Sequence, residues 1–170
     1  MAHAGRDERA WVRGAQAGSA SDLEALFRAH WPHAHRAAYL VVQDAQLAED
    51  VAQEAFLAAV RALDRFDGRR PFGPWLHRIV VNRAIDAARA RTLRRESGLD
   101  DGLPAPPAPQ PPNGTVLAAL AALPPEQRAV VVLRYLLEYT PGEIARLLEL
   151  PRGTVNSRLR RGLDAMKGRL

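Results

Sequence analysis

Cysteine is absent from this sequence, and lysine occurs once, at Lys167. No apolar run approaches the roughly 18 residues of a membrane span. The missing cysteines exclude a disulfide scaffold, a Cys-ligated zinc finger and an iron–sulfur centre. The opening MAHAGRDERAW has no apolar signal core, so a soluble, cytoplasmic chain without membrane contact of its own is expected. GxSxG, GxxxxGK[ST] and HExxH are also missing, so nothing points to an enzyme or a cofactor. Because lysine is so scarce, nearly all of the 24 basic side chains are guanidinium groups. Their planar fork suits phosphate and guanine edges. The net charge of +5 on 170 residues is modest, and a GC-biased genome gives arginine-rich chains for its own reasons. Composition therefore leans towards nucleic acid without deciding it.

The length suits one domain or two small ones. The sharpest break is SGLDDGLPAPPAPQPPNG at 97–114, where successive prolines favour extended geometry and two acids adjoin. It reads as a flexible, mildly acidic Pro-rich linker between 21–96 and 115–170, with 1–20 as an N-terminal tail. The charge is +3 over 1–96, −2 over the linker and +4 over 115–170. Both units read as helical, which predicts an all-α protein of two small domains. Ser21–Glu24 has the form of a capping box, Pro32 should kink or restart its helix, and Asp44 can cap the next one. A third helix is expected from Pro74 to about Arg95. In the C-terminal unit, Pro124-Pro125 starts a helix and Thr140–Glu143 forms a second capping box. Leu150-Pro151 then breaks the chain before a final helix from Thr154, whose Val155, Leu159, Leu163 and Met166 lie on one stripe.

Two helices joined by a short turn, the second basic on its outer face, make a helix-turn-helix pattern. Burying Val155 and Leu159 leaves Asn156, Ser157, Arg160 and Arg161 outward, types that pair with base edges and phosphates. Ala145 is small enough for a close crossing. A helical hairpin with a solvated basic face is the plain alternative. In the first unit Asp50, Gln53 and Glu54 stand at i, i+3, i+4. They fit a solvated face, an acid/base pair or half a metal site, or a docking patch for a basic partner. Arg65–Trp75 (RFDGRRPFGPW) interleaves arginines with Phe66, Phe72 and Trp75, as suits unstacked bases, or else the rings pin the loop to the core, Trp75 foremost. His30, His33 and His35 do not share one helical face and Pro32 interrupts them, so no metal site is expected.

Taken in order, LAEDVAQEAFLAAVRALDRF, PWLHRIVVNRAIDAARAR and LPPEQRAVVVLRYLLEYTPGEIARLLELPRGTVNSRLRRGLDAMKGRL resemble bacterial sigma factors of the extracytoplasmic-function (ECF) subgroup. The resemblance covers about 21–96 and 115–170. It implies a non-catalytic factor that joins core RNA polymerase and directs it to promoters. By that match Asp50, Gln53 and Glu54 would dock on the β′ clamp helices, and the C-terminal unit on the β flap. Phe66, Phe72, Ile79 and Asn82 would shape a pocket for an extruded base of the −10 element, with Arg65 a further contact to that element and Arg83, Arg89 and Arg91 on phosphates or duplex edges. Arg152, Thr154, Asn156, Ser157, Arg160 and Arg161 would read the −35 duplex, the first two at a helix start that favours phosphate. Asn156 stands where similar factors often carry a basic residue, which bears on the promoter sequence. An anti-sigma factor is a further implied partner. A polymerase-independent helix-turn-helix regulator would share the C-terminal unit but has no reason to contain the DVAQEAF helix and the RFDGRRPFGPW loop. A histidine-based metalloenzyme is a third reading.

Overall fold

The computed structural model describes residues 4–97 and 115–170, with side chains from Glu8 onward. The linker reading thus lies, Ser97 apart, outside the described residues. Regular structure among them is entirely helical. The N-terminal unit comprises α1 (Ala4–Gln16), α2 (Ala20–Val42), α3 (Ala45–Ala62), a 3-10 turn (Leu63–Arg65) and α4 (Phe72–Glu96). The C-terminal unit comprises α5 (Val116–Ala121), α6 (Pro125–Tyr135), α7 (Pro141–Leu148) and α8 (Arg152–Lys167).

The expected tail at 1–20 is instead largely a packed helix. Val12 is buried and Trp11 and Ala15 pack on the same core, so its apolar residues form a face. Helix α2 is capped two residues earlier than expected: Ser19, not Ser21, accepts from the Asp22 N–H at 3.3 Å. Nor does Pro32 end it. A helix-interior proline costs about 3 kcal/mol, but Leu26 before it and Ala34, Ala37, Ala38 and Val41 after it are all buried, and the helix continues. Asp44 caps α3 as read, accepting from Leu47 N–H at 2.9 Å. The Thr140–Glu143 capping box is complete in both directions, and Pro125 begins α6.

Helices α2, α3 and α4 pack on one another around Leu26, Val41, Leu76, Val80 and Val81, with α1 against α2. In the C-terminal unit α8 packs on α5, α6 and α7 through Val155, Leu159 and Met166. Gly162 lies where α8 crosses α6, and a Cβ there would stand 3.2 Å from Val131 Cγ2. That crossing is thus closest at Gly162; at the separate crossing of α7 with α8, Ala145 is partly buried and packed against the core.

The two expected helical units are both present, and they are joined. Helices α5 and α6 lie on α2, while α6 and α7 lie on α4, so the buried side chains form a single core running through both.

Candidate nucleic-acid interface

Loop 66–71 is held from beneath by α1. Gln16 Nε2 donates to the carbonyls of Leu63 and Phe66, each at 2.9 Å. Pro71 has no side chain with which to cap α4, and Glu8 supplies the missing acceptor, taking the Phe72 N–H at 2.9 Å. A carboxylate at a helix N-terminus is favourable. Its hydrogen bond from His30 at 3.0 Å, with that of Phe72, holds Glu8 below the usual carboxylate range despite its burial.

The aromatic rings of this loop are not laid out as expected. Phe66 and Phe72 are 7% and 3% exposed, meeting edge to face at 5.9 Å between centroids, and Trp75 packs on both. Trp75, expected to be deepest, is the one left partly exposed. Phe66 and Phe72 therefore offer no free face to a base and serve as the floor that fixes the loop. The arginines are outside: Arg65, Arg69 and Arg70 are exposed, with Arg69 forked onto Asp67 at 2.9 and 3.1 Å.

Along α4, Ile79 is partly buried and Asn82 is exposed. Arg83 lies in a groove between α3 and α4 together with Asp50, Glu54 and Asp86. One candidate phosphate contact thus shares its groove with two candidate polymerase contacts. Arg91 is taken up internally: it pairs with Asp44 at 3.1 Å and reaches the Val42 carbonyl, fastening α4 to the α2–α3 turn. That position does not leave it free for phosphate. Arg89 pairs with Glu126 at 2.5 Å.

On α3, Asp50, Gln53 and Glu54 are all exposed, as read. The same stripe continues into Leu57 and Val60, 56% and 42% exposed, beside Phe27 of α2. Gln53 stands at the rim of the apolar groove these residues line. An acidic end and an apolar continuation on one helix face suit a partner helix with basic and apolar residues.

On α8 the expected outer face is intact. Arg152, Asn156 and Arg160 are exposed at i, i+4, i+8; Thr154 and Ser157 are half-buried, and exposed Arg161 donates to Ser157 Oγ at 2.5 Å. Val155 and Leu159 are buried opposite. Glu149 ends α7 in the left-handed conformation (φ 54°), and Leu150 N–H bonds back to Ala145. Thr154 N–H returns to Pro151, starting α8 immediately. These two bonds make the short turn of a helix-turn-helix.

Between the units lies a set of residues that sequence reasoning missed. Arg128, 8% exposed, donates to the carbonyls of Leu120 (3.1 Å), Ala121 (2.7 Å) and Leu123 (2.7 Å), and across the seam to Val41. Its pKa falls to about 10, through burial first and Arg91 second. His77 Nδ1 bonds to the Tyr139 hydroxyl at 2.8 Å. Burial, then His30 and His33, lower His77 to about 4, so it is neutral; burial raises Tyr139. Arg78 pairs with Glu149. The one available signal for Arg128 was its position: it falls on the stripe of buried Val131 and Val132. The histidine string is dispersed, His30 onto Glu8, His35 stacked on Trp31, His33 exposed, and no metal-holding cluster occurs among the described residues.

Comparison with known proteins follows the same division. Residues 26–94 match the Sigma-70 region 2 family and 114–166 the Sigma-70 region 4 family. The chain is 32% identical over 149 residues to the ECF RNA polymerase sigma factor SigW of Bacillus subtilis, covering 78% of this chain and 80% of that one. It is 34% identical to the ECF RNA polymerase sigma factor SigL of Mycobacterium tuberculosis, covering 92% and 93%. Its fold superposes on CnrH, in complex with the cytosolic domain of CnrY, with a TM-score of 0.71 at 27% identity, over 95% of this chain and 96% of that one.

Proposed function

The chain belongs to the ECF sigma factors, a family of transcription initiation factors, and from that premise we propose that it binds core RNA polymerase in the cytoplasm and directs it to promoters through −10 and −35 elements. The observation that carries this is one chain holding two unlike surfaces: the acidic-to-apolar stripe of α3 and the exposed Arg152–Asn156–Arg160 face of α8. A free-standing DNA regulator needs only the second. In this reading Asp50, Gln53, Glu54 and Leu57 meet the polymerase clamp and the C-terminal unit meets the β flap. Arg65, Arg70, Ile79, Asn82, Arg83 and Arg89 hold the melted −10 strand over a loop whose floor is Phe66 and Phe72. Extruding a base costs a few kcal/mol of unstacking, so a prebuilt loop is an advantage. Arg152 and Thr154 take a phosphate at the start of α8, while Asn156, Ser157, Arg160 and Arg161 face bases and phosphates of the −35 duplex. CnrH is seen in complex with the cytosolic domain of CnrY, and the likeness supports a protein partner here as well, which we take to be an anti-sigma factor.

Run-off transcription with core polymerase tests this. Transcription should depend on the chain, and Asp50→Arg should weaken polymerase binding at least tenfold while leaving the far-ultraviolet helix signal unchanged. Equal transcription with and without the chain defeats the proposal.

A further inference from the structure

The seam between the units is built from groups that each unit would otherwise leave to water. The last carbonyls of a helix have no partner within it and carry its negative end. Arg128 meets two such ends together. Its guanidinium takes Leu120 and Ala121 at the end of α5 and, across the seam, Val41 in the last turn of α2. On α4, Arg78 and Arg89 stand three turns apart and so on one stripe. Both receive carboxylates from the C-terminal unit, Glu149 from the helix-turn-helix turn and Glu126 from the first turn of α6. Between these pairs and the core, His77 and Tyr139 close the seam at 2.8 Å.

We propose that the chain carries its own off state, in which the C-terminal unit seats Arg128 on the end of α2 and lays Glu126 and Glu149 on the α4 arginines in place of promoter phosphates. This rests on the assignment of α4 to the promoter strand, extended here from Arg89 to Arg78 on the same stripe. The arrangement leaves the outer face of α8 exposed, so it does not hide the −35 reader. It fixes that reader rigidly against α4 and occupies α4 with the wrong anions. The Arg78–Glu149 pair is exposed on both sides and therefore weak, and Arg89 is half exposed although Glu126 is partly buried, so phosphate can reach both arginines and exchange for carboxylate. Arg128 is buried and specific, and sets one docked geometry rather than a loose association. Opening returns the Val41 carbonyl and the Tyr139 hydroxyl to water, while Arg128 keeps its bonds to α5.

The absence of cysteine makes the test clean, because two introduced cysteines are the only thiols. An Arg78→Cys/Glu149→Cys chain is bridged with a bismaleimide whose spacer contains a reducible disulfide, and assayed by run-off transcription before and after reduction. The comparison lies within one preparation, so the substitutions cancel. The bridged form should transcribe at least tenfold less, and reduction should restore the signal. Equal transcription bridged and reduced, with an active wild type, overturns the off state alone. No transcript from the wild type overturns the promoter reading and the off state with it. Solution X-ray scattering of the free chain is independent of polymerase. The closed form has a radius of gyration of ~15 Å, and an extended two-body particle overturns the proposal. A Tyr139→Phe/Glu126→Gln/Glu149→Gln chain should be larger than the wild type.

Discussion

Helices α4 and α8 both carry arginines and are both proposed to meet DNA, yet their guanidinium groups are in different states. On α4, Arg78, Arg89 and Arg91 each have a carboxylate partner: Glu149, Glu126 and Asp44. On α8, Arg152 and Arg160 are exposed and make no ion pair among the described residues, and Arg161 has only a serine hydroxyl. An unpaired exposed arginine loses only water on meeting a phosphate. A paired one must first give up its carboxylate. The proposed −35 reader is thus presented ready and these α4 arginines are presented occupied; Arg89 also meets Asp86 of its own helix at 3.8 Å, so two of the four occupying acids belong to the other unit. Residue type alone does not separate the two helices; the position of the acids does.

The comparison breaks most completely if the seam is removed. Arg128→Met leaves buried carbonyls without donors, at about 1–3 kcal/mol each, so urea denaturation should show a loss of about 3 kcal/mol or more and two transitions in place of one. Arg128→Lys, lacking the fork, should recover only part of this. An unchanged midpoint for the Met variant would show that the units are not held there.

Acid should act on the same seam. His77 is neutral when folded, with a pKa near 4, against about 6.5 unfolded. Between those values the unfolded chain binds the extra proton, so stability is full above pH 6.5 and falls as pH drops towards 4, by about 3 kcal/mol from this group. Glu8, held low chiefly by His30, adds its own loss only at the acid end of that window. Replacing His77 by Phe should flatten the slope between pH 6.5 and 4; an unaltered slope would assign it to other groups.

Much of this was legible in the sequence because it is local. Helix periodicity, the Asp44 cap, the Thr140–Glu143 box and the α8 stripe depend on residues within one or two turns. What escaped depends on distant partners. Glu8 serves as the cap of α4, and nothing near Phe72 announces it. Phe66 and Phe72 went into the core, and Trp75 stayed at its edge, because α1 clamps the loop through Gln16. The proline tract suggested independence, yet the units are joined by Arg128, 87 positions from its acceptor Val41. A lone arginine on an apolar stripe was the trace of that contact.

On the ready side of the comparison, Arg160→Ala should cost about 1–3 kcal/mol in −35 discrimination if the side chain makes a bidentate base contact. Transcription from intact and scrambled −35 promoters measures it. An unchanged ratio would make Arg160 a phosphate contact, or none.

The smallest effect tests the idea most directly. Glu126→Gln with Glu149→Gln removes both carboxylates that the C-terminal unit lays on α4; the Arg78–Glu149 pair is exposed enough to be worth at most about 1 kcal/mol, and Glu126 is partly buried. Freed arginines should bind a single-stranded −10 oligonucleotide a few-fold more tightly, and the gain should shrink as salt screens the competing pairs. The substitution also makes the chain more positive by two charges, which favours any nucleic acid. Glu138→Gln with Asp164→Asn, exposed acids of the same unit that make no ion pair with α4 among the described residues, changes the net charge equally. If the gain comes from vacating Arg78 and Arg89, the first pair must exceed the second. Equal gains would mean that α4 is occupied without being guarded.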